Sequence, residues 1–142
     1  MEASAILQPV FVVALLTVIM TVWMFLTRVP AMVKLRIHPQ KGQDTQHLKG
    51  LLPKEVTRIS NNYNHLFEQP TLFYAIAISI ALLGHVDVVH VYCAWIFAIA
   101  RIVHSLVQAT ADIVLVRFGL FILSWLVLAI MIVRETITVF GF

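Results

Sequence analysis

The stretch Arg58–Tyr74, RISNNYNHLFEQPTLFY, decides the fold, because its polar side chains run directly into the start of an apolar helix. If it is helical, Asn61, His65 and Glu68 fall at i, i+4 and i+7, and Asn64 lies one turn before Glu68, so all four share a face. That face is too polar for lipid. Pro70 follows Glu68, and the chain is then almost unbrokenly apolar to Leu83. A carboxylate is therefore expected just inside a membrane span, where an ionisable group either has a partner or lines a wet cavity.

Outward from this stretch, composition agrees with a membrane protein. The chain has 142 residues, 61% of them apolar and 12% charged, and its mean hydropathy of +0.93 lies well beyond that of a soluble domain. We expect one domain over residues 1–142: an all-α, integral membrane four-helix bundle with spans at approximately 6–27, 66–86, 88–107 and 113–133. Each matches the ~20 residues needed to cross ~30 Å of hydrocarbon. The first span follows the acidic leader MEAS, is too long for a signal-peptide core and lacks a small-residue cleavage site, so it reads as a retained helix.

Residues 28–60 form the one long polar connection, punctuated by Pro30, Pro39, Gly42, Gly50 and Pro53. Seven basic residues fall in it (Arg28, Lys34, Arg36, Lys41, Lys49, Lys54 and Arg58) out of 10 in the chain, against 7 acidic residues overall. Basic loops stay in the cytoplasm, which predicts a cytoplasmic loop 28–60 and both termini outside. The pI of 9.4 then reports orientation and not a nucleic-acid partner. Too few large apolar residues are present for the loop to build a core. It is either solvated beside anionic headgroups or partly folded over a site as a lid.

In this topology Glu68 and Arg117 stand at the cytoplasmic starts of spans two and four. Span three ends on the same side, beyond Arg101 and His104 at i, i+3, with Gln108 one turn further. Insertion of an Arg or Asp at a helix centre costs ~2.5–3.5 kcal/mol, so these groups face each other or water. Two readings follow. One is a polar latch in which Glu68 pairs with Arg101 and fixes helix packing. The other is a pocket for an anionic, amphipathic ligand, favoured because two arginines exceed what one glutamate neutralises. His38, His47, His85 and His90 have no Cys or carboxylate at ligand spacing, so no metal is expected. Cys93, inside an apolar segment, reads as a core residue. There is no P-loop, dinucleotide fingerprint or HExxH.

Taken together, RISNNYNHLFEQPTLFY (58–74), ARIVHSLVQ (100–108) and the spacing to Arg117 resemble the MAPEG family, the membrane-associated proteins of eicosanoid and glutathione metabolism, and in particular its bacterial members. The resemblance implies a homotrimer in the bacterial inner membrane. Glutathione, as co-substrate, would lie between subunits in the cytoplasmic half, and a lipophilic small-molecule substrate would arrive from the bilayer lipid. By the same resemblance Glu68 looks like the carboxylate that receives the glutathione amino group, with Arg58 the basic residue ahead of it. Asn61, Asn64, His65, Arg101, His104 and Gln108 look like further binding residues, and Arg117 like the arginine that stabilises the thiolate. The implied function is a transferase, peroxidase or isomerase acting on lipophilic electrophiles with glutathione or another small thiol. A non-catalytic lipid- or partner-binding member and a small transporter subunit are the alternatives. Asn64 and His65 stand where glutathione-using members tend to carry Arg and then Asn. Gln108 replaces a Tyr, and Phe118 a Ser.

Overall fold

A computed structural model describes residues 1–43, 47–48 and 50–141. The described residues contain five α-helices and no strand: α1 (Ala3–Lys34), α2 (Lys54–His65), α3 (Gln69–Leu83), α4 (Val88–Ala109) and α5 (Val114–Phe140), with a short 3-10 helix at Pro39–Gln43. Among them, four stretches are long and apolar enough to cross a membrane: α1, α2 with α3, α4 and α5. The protein is an all-helical integral membrane bundle, as the hydropathy pattern predicts. α4 is the central element, packing most extensively on α5 and also on α1 and α2.

The helices run further than their apolar segments. α1 has 32 residues and is about 48 Å long, more than the hydrocarbon thickness, so it continues through Pro30 into the polar region. Pro30 removes the N–H that would bond to the Leu26 carbonyl, yet the helix continues past it to Lys34. At its other end the predicted loop loses residues 54–60 to α2. The reason is an apolar stripe of Ile59 and Leu66 with Tyr63 between them, which docks on Leu16, Met20 and Met24 of α1. The true connection is 35–53; Lys49 lies outside the described residues, as do residues 44–46 of the region considered as a lid.

The second span is broken. Pro70 lacks the N–H that would continue α2 and disfavours helical geometry in the residue before it, so the chain turns at residues 66–68 and restarts at Gln69. α3 ends on Gly84 in the left-handed conformation, φ 74°, which a residue without Cβ adopts freely. Asp87 then caps α4, its carboxylate accepting from the His90 backbone N–H at 2.8 Å. In the core Phe73 stacks on Phe97 with ring centroids 4.2 Å apart, and Ala77, Ala94 and Ala98 let the backbones approach.

α5 continues past residue 133 because its polar residues find partners on the α3–α4 turn. Arg134 pairs with Asp87, and Glu135 lies 2.8 Å from His85 Nδ1. The N-terminal amino group adds a hydrogen bond to the Val86 carbonyl at 3.2 Å. Burial alone would raise the Asp87 carboxyl. The His90 N–H and the charges of His90 and Arg134 outweigh it and hold Asp87 below its ordinary value of 3.8. A depressed carboxylate contributes stability that is complete above the unfolded value and is lost as pH falls through the folded one. Thermal unfolding in detergent should therefore show the midpoint of the wild type dropping below about pH 4 relative to Asp87→Asn. Parallel curves for the two proteins through that window would remove Asp87 as a source of stability.

Candidate functional site

At the opposite end of the bundle from Asp87, α2, α4 and α5 bring four predicted site residues to one cleft of about 220 Å³. His65, Arg101, His104 and Arg117 line it, with Val114, Phe118 and Phe121 as an apolar wall. Arg101 and His104 reach it together because i, i+3 places them on one face of α4. The His65 and His104 rings meet edge to face with centroids 6.3 Å apart. Phe121, one turn beyond Arg117 on α5, closes the side toward the bilayer.

The charges are distributed differently from the latch expected as one reading of the sequence. Glu68 does not pair with Arg101. Its side chain is 63% exposed and bonds to His65 Nδ1 at 3.1 Å across the break between α2 and α3. Arg117 pairs with Asp112, in the turn between α4 and α5, a carboxylate that the sequence reading left out of its charge count. Arg101, 3% exposed, has no carboxylate partner among the described residues, and its Nε is buried with no hydrogen-bond partner. Its guanidinium lies 5.8 Å from the centroid of the Phe97 ring, a cation–π contact that offsets only part of the desolvation. Of the two arginines that line the cleft, Arg101 is thus the one without a carboxylate in an ion pair.

The remaining predicted residues surround the cleft without lining it. Arg58 and Asn61 are half-buried on α2, and Arg58 Nε has no partner. Asn64 is exposed and faces a separate cleft toward α1. Gln108, buried one turn past His104, leaves its Oε1 unpaired. Three residues that the sequence reading did not assign to the site are buried with unpaired polar atoms: Asn62 and Gln69 through both amide atoms, Ser105 through Oγ. Asn62 is fully buried because α2 turns Val56, Ile59 and Asn62 inward, so the predicted Asn61–His65–Glu68 face is not the buried one. Rotation of a short polar helix is not encoded in its spacing, and NNYN offered no way to choose among three asparagines. Phe121 was legible in principle, lying at i+4 from Arg117.

A bundle whose cleft is lined by two arginines, two histidines and an apolar wall defines a class: a helical membrane protein with a charged cleft at one end of its helices. The MAPEG family model matches residues 6–136, and the chain belongs to the MAPEG family. No curated protein and no solved structure matches it.

An uncompensated buried charge destabilises, whereas the cation of a structural pair stabilises. Arg101→Met, close in volume and apolar, should therefore leave the thermal midpoint in detergent unchanged or raise it. A loss equivalent to about 3 kcal/mol or more would instead make Arg101 part of a structural latch.

Proposed function

We propose that this protein is a membrane-bound thiol-dependent transferase, peroxidase or isomerase acting on lipophilic electrophiles, with glutathione or a related small thiol as co-substrate. The observation that carries the reading is Arg101, a buried cation with no carboxylate bonded to it among the described residues, facing a cleft that also holds Arg117 and an aromatic wall. Membership of a family that includes glutathione transferases and peroxidases supports it.

In this reading the carboxylates and thiolate of the co-substrate supply the missing negative charge. A thiol of pKa ~8.5 ionises at neutral pH only beside a cation. Arg117 is assigned that role, and its guanidinium carries five N–H donors, enough to hold Asp112 and a thiolate together. Arg101 binds a carboxylate of the thiol peptide, and His65 and His104 offer ring nitrogens to its backbone. Phe118 and Phe121 place the electrophile against the sulfur from the bilayer side. With an aryl chloride, the thiolate sulfur attacks the chlorine-bearing carbon, the new carbon–sulfur bond forms, and chloride leaves with the bonding pair. Removing water from the thiolate in the partly dry cleft strengthens the interaction with the guanidinium. The reading also carries a homotrimer, in which a neighbouring subunit would cover the exposed face of α5 beside Phe118.

One observation favours a second reading, a non-catalytic member that binds lipid or a partner in the same cleft. Arg117 already has a carboxylate, Asp112, so the cation needed to ionise a thiol is partly neutralised. Transport is disfavoured, since the charged groups of the cleft cluster at one depth and do not line a path across the bundle.

Purified protein with glutathione and 1-chloro-2,4-dinitrobenzene separates these readings. The wild type should form the conjugate, Arg117→Ala should lose about a hundredfold in kcat/KM, and Asp112→Asn should match or exceed the wild type. Equal rates for wild type and Arg117→Ala would remove Arg117 as the thiolate partner, and no conjugation by any of the three would favour the binding protein.

A further inference from the structure

A second cleft, of about 170 Å³, opens between α1, α2 and the segment around Leu48, and it shares no lining residue with the Arg101 cleft. Its polar side carries Arg28, Thr57, Ser60 and Asn64; its apolar side is Met24, Leu48 and Leu52. Arg28 is half-buried, and among the described residues no carboxylate pairs with it. Ser60 Oγ is buried with no hydrogen-bond partner. The Thr57 hydroxyl is already donated to the Pro53 carbonyl at 3.2 Å, which leaves Arg28, Ser60, Tyr63 and Asn64 as the lining groups with donors to offer. Leu48, 1% exposed, closes one edge, held there by a tight turn in which the Leu51 and Leu52 N–H groups both bond to its carbonyl at 3.0 Å.

The position of Arg28 along α1 says what would supply an anion. The outward face of α1 is densely apolar and exposed from Phe11 to Leu26, a rise of about 23 Å, and thins beyond it to Val29 and Val33. Arg28 follows at once, where the phosphate layer of a leaflet lies. Basic pockets between membrane helices at that level bind anionic headgroups. A phosphate accepts from a guanidinium fork, a hydroxyl and an amide together, the three donor types present here.

We propose that this cleft is a binding site for the phosphate of an anionic phospholipid drawn from the surrounding leaflet. Arg28 is the cation, Ser60 and Asn64 are the hydrogen-bond donors, and Met24 and Leu52 receive the first carbons of the lipid. Leu48 closes one edge of the cleft beside the headgroup.

Native mass spectrometry of the full chain in detergent, with added phosphatidylglycerol, diacylglycerol or inorganic phosphate, tests this. Phosphatidylglycerol should remain bound to the wild type and diacylglycerol should not. Arg28→Gln should weaken retention about tenfold and Ser60→Ala about threefold. Lys34→Gln, the same loss of charge at an exposed position of α1, should leave it unchanged. Ser60→Ala removes one oxygen atom and keeps the question open to test if Arg28→Gln does not fold. Equal retention by the wild type and Ser60→Ala or Arg28→Gln, or diacylglycerol held as firmly as phosphatidylglycerol, would overturn the proposal. So would inorganic phosphate bound in an Arg28-dependent way with no lipid retained, since the ligand would then come from solution.

Discussion

A guanidinium withdrawn from water inside a membrane bundle, with no carboxylate bonded to it among the described residues, is the constraint from which the rest of this structure follows. Arg101 cannot be neutralised by losing a proton, because a guanidinium stays protonated in proteins. Its charge must be met by an aromatic face, by water or by a guest. Phe97 supplies the first of these, and the cleft between α4 and α5 leaves room for the others. Bundle geometry keeps the cation in place: α4 is packed by α1, α2 and α5, and its alanines bring those helices close enough to bury an arginine on its inner face.

The two ends of the bundle solve the same electrostatic problem in opposite ways. Near the termini Asp87 pairs with Arg134 and Glu135 with His85, and together they clamp α5 to the turn between α3 and α4. Near the 35–53 connection the carboxylates are drawn outward, Glu68 to His65 and Asp112 to Arg117, and Arg101 is left over. α5 is clamped at one end and lines the cleft with Arg117, Phe118 and Phe121 at its other.

Much of this was legible in the chain itself. Length and hydropathy give the four crossings, and the i, i+3 spacing of Arg101 and His104 puts both on the face that meets Arg117. What was not legible depends on helix rotation and on contacts across the chain. Polar α2 is helical from Lys54 because Ile59 and Leu66 find the α1 methionines, a long-range contact that its own composition does not announce. The break at residues 66–68 turns Glu68 outward, so it does not join Arg101. Asp112 is a visible charge, yet nothing in its surroundings Gln108–Ala109–Thr110–Ala111 distinguishes a solvated turn from a partner for Arg117. The length of α5 was missed for a related reason: Arg134 and Glu135 read as an ending until His85 and Asp87 are seen beside them.

The central claim is that the open cation selects a thiolate-bearing anion, and proton counting tests it most directly. Glutathione added to unbuffered protein in lipid nanodiscs at neutral pH should release roughly one proton per bound molecule, read with a pH indicator, because a thiol of pKa ~8.5 is mostly protonated before it binds. The account predicts that this release disappears in Arg101→Met together with binding. Saturable glutathione binding with no proton released, or release undiminished in that variant, would contradict it.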